Sequence, residues 1–470
     1  IGLISIYSHI FIYSFFMLET ETGISGIIYI LLLVILICIP FIVKISYNQR
    51  LFLYLCPLWV LLILELWFFC YTKLYLIPKL NSMRVEPPSV DNTMYDRFMT
   101  NWQRISQLNH YSIQECVEQY FQKMPLEEIK RDNLKEFFGH TVFGKPYTKL
   151  TEEELEIVEK HVNHLEALLG RNIEKGYNPE AEHLLSIIQH PTYRVYHRPL
   201  ILYWLNNLGV MADYGVMTHY YGFERMYYNK TNLYYWYRPA IHGENAETIV
   251  LYHGIVSSMF IYYNIFARFP DKNVVVIDLE HIKMNSFVFS GPSEEEFAQA
   301  TYDILQHHNI ERITLVGQSF GSFMVKWFLQ RYQYMVNKLV LLDPVAIMLV
   351  IYPEVAYNFL ASSPKEWYSY VVQYFVWTEL TVAHNMHRQF WWYKNILYLE
   401  DIHLNIPVLI GMAEHDCYMN TKGLYELLMN YKESYDVEQW TIVYWKDAFH
   451  NDSVYHEKRF GDVAKWIEST

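Results

Sequence analysis

The sequence predicts an α/β fold in its C-terminal half, with a mostly parallel sheet flanked by helices. Three observations support this. Apolar runs rich in β-branched residues recur from residue 248 onward, helical patterns separate them, and a Gly-x-Ser-x-Gly stretch turns one run sharply into a helix. Strands that alternate with helices are typical of parallel sheets covered on both faces. The 470 residues leave room for further structural units before this one.

Composition narrows the function classes. Hydrophobic residues make up 52% of the chain, aromatic residues 17% and charged residues 19%. This mix indicates a membrane contribution, an apolar binding site, or both. The net charge of −13 and the lack of a basic stripe argue against nucleic acid as a partner.

Residues 1–80 are predicted to be a transmembrane region. The strong spans are 24–43 and 51–71, since about 20 apolar residues cross a bilayer as a helix. A short polar loop joins them, which predicts a helical hairpin, although Pro57 and Glu65 interrupt the second span. Residues 2–18 are a possible third span or an interfacial helix. We therefore expect an integral membrane protein, with the endoplasmic reticulum and mitochondrial membranes as candidate compartments.

Residues 81–222 are predicted to form a linker and a mostly helical region. The linker, 84–92, carries prolines and charges. Thr151 and Glu154 form the pattern of a capping box, and apolar residues follow at helical spacing. No chemistry stands out in this region.

Residues 223–470 carry the α/β pattern. A hairpin is predicted at 225–238, and a second capping box, Ser293–Glu296, is predicted to begin a helix. An aromatic-rich insertion at 345–405 interrupts the alternation and is predicted to form a cap over the carboxyl end of the sheet. The strands are predicted at 248–254, 273–279, 312–317, 338–344, 406–412 and 439–445.

The stretch Gly317-Gln318-Ser319-Phe320-Gly321 marks a candidate nucleophile. In a sharp strand-to-helix turn, the residues two before and two after the serine must be small, or their side chains collide. A β-branched strand precedes the stretch and a helical pattern follows it. Ser319 is therefore either an exposed nucleophile or a passive residue in a tight turn.

A serine hydroxyl needs a histidine base, and the histidine needs a carboxylate that fixes its tautomer. Asp416 follows the strand at 406–412, and His450 follows the strand at 439–445. The carboxyl ends of parallel strands share one edge of the sheet, so we expect both residues to lie near Ser319. A helix cap at Asp416 and a surface loop at His450 remain open. So do alternative candidates for the acid and the base, which are Asp343, Glu414 and His456.

Two backbone N–H groups are candidates for stabilising an oxyanion, which needs donors aimed at it. One belongs to Phe320, directly after the serine. The other belongs to Ile255, which follows His253-Gly254 at the end of an earlier strand.

These motifs resemble the α/β-hydrolase family over residues 223–470. The segments that carry the resemblance are "VLYHG", "LVGQSFGS", "KLVLLDP", "PVLIGMAEHD" and "DAFH". The resemblance implies a Ser319–Asp416–His450 triad, an oxyanion hole at Ile255 and Phe320, and chemistry without a metal or organic cofactor. Position 318 is Gln, where His is commoner in similar membrane-attached hydrolases.

The aromatic insertion indicates an apolar substrate pocket. Trp377, Phe390, Trp391 and Trp392 are the candidate substrate-binding residues, because apolar side chains line small-molecule sites. The function expected is a membrane-anchored serine hydrolase that cleaves an ester or thioester of a lipid-like acyl group. A catalytically silent subunit with protein partners in a membrane complex and an acyltransferase remain alternatives.

Overall fold

The fold is taken from a computed structural model. It describes residues 34, 49–83, 93–187, 193, 195–241, 246–284, 286–349, 353–357, 367–391 and 394–469. The predicted segment 2–18 and, apart from Val34, the predicted span 24–43 lie outside the described residues, so the predicted hairpin is not tested.

The predicted span at 51–71 is helical, but the helix runs further than predicted. Helix α1 spans Gln49–Cys70, a π-helical turn follows at Tyr71–Leu76, and α2 spans Ile77–Ser82. From Gln49 to Ser82 every described residue is helical. In the described part of the chain, one segment, Trp59–Ser82, is a helix long and apolar enough to cross a membrane.

Five helices follow in the region predicted to be mostly helical. The capping box at Thr151 is confirmed, because its hydroxyl accepts from the N–H of Glu154 at the start of α6. Trp102, Phe137 and Val162 are completely buried among these helices. The bounds are α3 Thr93–Ile105, α4 Ile113–Tyr120, α5 Arg131–Phe143, α6 Glu152–Leu169 and α7 Leu200–His219.

Eight strands form one sheet in the order β1-β2-β4-β3-β5-β6-β7-β8. The pairs β1–β2 and β2–β4 are antiparallel, and the other neighbours are parallel. The mostly parallel sheet is therefore as predicted. The bounds are β1 Glu224–Tyr228, β2 Leu233–Arg238, β3 Thr248–Tyr252, β4 Asn273–Asp278, β5 Ile313–Gln318, β6 Val336–Leu342, β7 Val408–His415 and β8 Trp440–Phe449.

Helices cover both faces of the sheet. The predicted capping box at Ser293 begins α9. The helices are α8 Tyr263–Arg268, α9 Glu294–His307, α10 Gly321–Tyr332, α11 Pro353–Ala356, α12 Trp367–Val372, α13 Leu380–Arg388, α14 Thr421–Tyr435, α15 Asp452–Tyr455 and α16 Glu457–Ser469. A π-helical turn, Gln373–Trp377, continues α12.

Alternate strand residues point to opposite faces, as the two-residue period of a strand requires. On one face, Val250 and Leu315 join a core that also includes Trp102 and Phe137 of the helical region. On the other face, Ile249 and Val316 join a separate core. The helical region therefore packs against the sheet through a shared core, and an ion pair between Arg97 and Asp401 adds to this contact.

Candidate active site

Ser319 lies in a strained turn between β5 and α10. Its φ of 51° is in the left-handed region, which a non-glycine residue adopts only under constraint. A Cβ atom at Gly321 would lie 2.0 Å from the carbonyl oxygen of Tyr252, and one at Gly317 would lie 2.4 Å from a methyl group of Val325. Only glycine fits at these two positions, which explains the small residues on either side of the serine.

The structure brings Ser319, His450 and Asp416 together. His450 Nε2 lies 2.8 Å from Ser319 Oγ, and His450 Nδ1 lies 2.6 Å from Asp416 Oδ2. Asp416 can only accept a hydrogen bond when ionised, so Nδ1 carries the proton and Nε2 is free to accept the proton of the serine. Asp416 is fixed in turn, because its Oδ1 accepts from the N–H of Tyr418 at 2.8 Å.

Residues 247–398 match the model of the alpha/beta hydrolase fold family. This part of the chain has the α/β-hydrolase fold. The order of the sheet and the strained turn at Ser319 agree with this fold.

The chain is also similar to several solved structures. A bacterial membrane phospholipase A is 15% identical, with 57% of this chain and 93% of that chain covered and a TM-score of 0.41. The carboxylesterase CesB from Bacillus subtilis is 16% identical, with 56% and 98% covered and a TM-score of 0.37. A serine hydrolase from Cycloclasticus zankles is 14% identical, with 53% and 97% covered and a TM-score of 0.38. No curated protein sequence matches the chain.

The other candidate acids and bases make different contacts within the hydrolase fold. Asp343 accepts from the N–H of Ala413 at 3.1 Å, from the N–H of Asn451 at 3.0 Å and from the hydroxyl of Ser453 at 2.9 Å. Glu414 accepts from the N–H of Asp447. His456 is exposed beyond the end of α15. Asp416 is therefore the carboxylate that is hydrogen-bonded to the His450 ring.

Two buried carboxylates control the charge of His450. Burial alone would lower the pKa of His450, but the neighbouring carboxylate of Asp416, its hydrogen bond and the charge of Asp343 together raise the pKa above its ordinary value. Burial also raises the pKa of Asp343, to about 6, with the charge of Asp416 acting in the same direction. The site therefore favours a positive charge on the imidazole.

The two candidate oxyanion donors lie beside Ser319. Neither the N–H of Ile255 nor that of Phe320 donates to an acceptor in the described part of the chain, and both residues line the same cavity as Ser319. A Cβ atom at Gly254 would lie 2.6 Å from Gln318 Oε1 and 3.1 Å from the Ser319 Cβ, so the loop before Ile255 approaches the serine closely. The geometry leaves two N–H groups available to a negatively charged oxygen.

The site also contains a group of side chains that could be considered as metal ligands. It consists of Asp343, Asp416 and His450, since one ligand atom from each lies within 4.8 Å of the others. The hydrogen bonds described above already satisfy these atoms. Among the described residues, Glu414, His415 and Asp447 form a second such group, at the surface. Acidic surface groups of this kind are common without a metal, and nothing else at this group indicates one.

A cavity of about 140 Å³ opens onto Ser319. Most of its lining is apolar. Of the predicted substrate-binding residues, Trp377 and Phe390 line the cavity, whereas Trp391 is buried outside its lining and Trp392 lies outside the described residues. The lining residues are Ile255, Ser319, Phe320, Phe323, Val345, Val355, Val372, Val376, Trp377, Met386, Phe390, Tyr418, His450 and Asn451.

Sequence reasoning missed several of these residues. Tyr418 lies two positions after Asp416 and Asn451 one position after His450, so extending each candidate by two positions would have found them. Tyr418 packs edge-to-face on the His450 ring at 4.7 Å between centroids. Val372 and Val376 lie one helical turn apart in the cap, and this spacing was a signal in the sequence that they share a face. The tryptophans of the insertion were chosen instead.

The raised pKa of His450 predicts a pH dependence. Only the neutral imidazole can accept the serine proton, so we expect the rate at which a fluorophosphonate modifies Ser319 to fall on acidification with a midpoint above about 6.5, the ordinary histidine pKa. Replacing Asp343 with Asn removes a charge that raises this pKa, so the midpoint should move to lower pH. Asp462→Asn, on the exposed side of α16, is the control and should not move it. A midpoint unchanged by Asp343→Asn would contradict this account.

Proposed function

We propose that the chain is a serine hydrolase that cleaves an ester or thioester of an apolar acyl group. The observation that carries the proposal is the continuous hydrogen-bonded chain from Asp416 through His450 to Ser319 Oγ, which ends in an apolar cavity. A passive turn serine would not need a buried histidine–aspartate pair beside it. The intact geometry also weighs against a catalytically silent subunit.

The contacts support a two-step mechanism. Ser319 Oγ attacks the acyl carbonyl carbon while its proton moves to His450 Nε2. The N–H groups of Phe320 and Ile255 stabilise the oxyanion, and Asp416 stabilises the imidazolium. When the intermediate collapses, Nε2 gives the proton to the leaving group and an acyl-enzyme remains. A water molecule then repeats the sequence on the acyl-enzyme, which releases the acid and restores Ser319.

The cavity supports an apolar acyl group of limited length. Its volume of about 140 Å³ is close to that of an engineered lysozyme cavity of about 150 Å³ that binds benzene. The described space therefore holds a group of about six carbons. A longer acyl chain would have to extend past Val372 and Val376 of the cap.

Two helices support attachment to a bilayer. The segment Trp59–Ser82 could span it, and Trp67, Leu74 and Tyr75 on this segment are exposed. Helix α7 has a wide exposed apolar face, and its only charged residue, Asp213, is buried. The exposed apolar residues of α7 are Ile201, Trp204, Leu205, Leu208, Met211 and Val216.

A carboxylate on α1 is hydrogen-bonded to the start of α7 and to a residue before it. Glu65 of α1 accepts hydrogen bonds from the N–H of Leu200, at the start of α7, and from His197. These hydrogen bonds place the start of α7 against α1. We propose that lipid covers the exposed apolar residues of both helices, because large apolar patches are rare on soluble monomers.

Serine reactivity is tested by substitution. We expect a fluorophosphonate to label the full-length protein at Ser319, and expect Ser319→Ala to abolish both labelling and ester hydrolysis. His450→Ala should lower kcat by at least about 1,000-fold, because the serine loses its base. His456→Ala is the matched control and should retain activity. A folded wild-type protein that neither labels nor hydrolyses any ester would refute the proposal.

Acyl length is tested with a series of thioesters or nitrophenyl esters. We expect kcat/KM to rise from acetyl to about hexanoyl, because each buried methylene adds about 0.8 kcal/mol until the cavity is full. Val376→Trp should shorten the preferred chain by filling the cavity. Tyr220→Trp, at an exposed position after α7, is the control. A preference for acetyl esters in the wild type would contradict the apolar part of the proposal.

Lipid contact of α7 is tested by site-specific labelling in vesicles. A polarity-sensitive fluorophore on Leu208→Cys should emit at shorter wavelength than one on Tyr177→Cys, an exposed position in the helical region. Brominated lipids should quench the first fluorophore and spare the second. A short-wavelength emission at position 208 without quenching would instead indicate that protein covers this face.

A further inference from the structure

The carboxamide of Gln318 joins the two loops that flank the serine. Gln318 Oε1 accepts from the hydroxyl of Tyr262 at 2.7 Å, and Gln318 Nε2 donates to Asn451 Oδ1 at 2.6 Å. The Tyr262 oxygen in turn accepts from the N–H of Gly254 at 2.8 Å. A directed chain of three hydrogen bonds therefore runs from Gly254 to Asn451, and each donor in it has an acceptor.

The ends of this chain lie next to the proposed catalytic groups. Gly254 precedes Ile255, which supplies an N–H to the oxyanion, and Asn451 follows His450. Gln318 itself precedes Ser319 at the end of β5 and is completely buried. The chain thus connects the oxyanion loop, the nucleophile and the base.

Asn451 is held from its other side as well. Its N–H donates to Asp343 Oδ2 at 3.0 Å, and its φ of 76° is a conformation that Asn tolerates better than most residues. The side chain of Asn451 therefore makes one of two hydrogen bonds that hold this residue beside His450. The other contact, to Asp343, uses backbone and does not depend on the side chain at position 451.

We propose that Gln318 is a positioning residue that sets the distance between the oxyanion N–H of Ile255 and the imidazole of His450. This inference rests on the proposed hydrolase function. A side chain at position 318 must accept from Tyr262 and donate to Asn451 at the same time, and a carboxamide does both. Because Gln318 is buried, a side chain that lacks either capacity leaves a polar group unpaired and lets one loop move.

The decisive comparison is Gln318→Met against Gln318→His in the full-length protein. Methionine keeps the volume and removes both hydrogen bonds, so we expect kcat to fall roughly 10- to 100-fold, as for misplacement by about 1 Å, with KM changed less than about threefold. The rate of fluorophosphonate labelling at Ser319 should fall by the same factor. Histidine retains one donor and one acceptor and should recover most of the lost rate.

A matched control is Gln299→Met in α9. Gln299 also accepts a hydrogen bond from a tyrosine hydroxyl, that of Tyr332, and donates one to the carboxylate of Asp303. Unlike Gln318, it lies at the surface. We expect its kcat and labelling rate to equal those of the wild type. Thermal unfolding of all variants separates loss of folded protein from loss of rate.

Asn451→Gly provides a second route if Gln318→Met does not fold, because glycine accepts the positive φ. It should reproduce part of the fall in kcat. Adding Gln318→Met should cost less than the sum of the two single losses, since the hydrogen bond between Gln318 and Asn451 is lost in both variants and only the Tyr262 contact is lost in addition. Wild-type rates in folded Asn451→Gly or Gln318→Met, or fully additive losses, would overturn the positioning role. An unlabelled, inactive wild type would instead refute the hydrolase function itself, and this inference with it.

Discussion

The geometry of the site depends on the close packing of the start of α10 against the end of β3. Any side chain at position 321 would collide with the backbone of Tyr252, and any side chain at position 317 would collide with Val325. This close approach leaves one short route from strand to helix, and that route forces Ser319 to a positive φ. This turn places both Ser319 and the next residue, Phe320, in the lining of the cavity. Nucleophile exposure and one oxyanion donor are thus consequences of a single packing constraint.

The parallel strands β6, β7 and β8 then bring the charged side chains of the site together. Adjacent strand ends bring Asp343, Asp416 and His450 to one edge, so two carboxylates lie around one imidazole in a buried site. Burial raises the pKa of Asp343 to about 6, and the charge of Asp416 acts in the same direction because two buried negative charges repel each other. A proton on His450 reduces this repulsion. In the proposed mechanism the imidazole gains such a proton when the serine attacks, so the electrostatic cost built into the resting site becomes stabilisation of the charged intermediate.

Much of this arrangement follows from local sequence patterns. Strand periodicity and capping boxes locate β3–β8, α6 and α9, and strand-end positions select Ser319, Asp416 and His450 because parallel strands end at a common edge. Contacts between distant segments have no such local signal. Gln318 and Asn451 lie 133 positions apart, and neither periodicity nor composition links them. The apolar span was predicted to end at residue 71, whereas a π-helical turn carries the helix on to Ser82. Trp391 was predicted to bind substrate and lies outside the lining of the cavity; an aromatic side chain fills a core as readily as a pocket.

The cap and the apolar helix are mechanically connected. Val372, Val376 and Trp377 line the cavity, and between them Tyr374 donates a hydrogen bond to the carbonyl of His197 at 3.3 Å. Arg198 donates to the carbonyl of Thr378, just beyond the same π-helical turn. His197 is in turn hydrogen-bonded to Glu65 of α1. The wall of the cavity is therefore fixed to the helix that we propose spans the bilayer, not to the sheet alone. Since Tyr370, Val371 and Phe375 of the same cap segment are exposed, one face of this segment shapes the acyl site while the other lies open. A displacement of α1 would therefore act, through these hydrogen bonds, on the segment that lines the cavity.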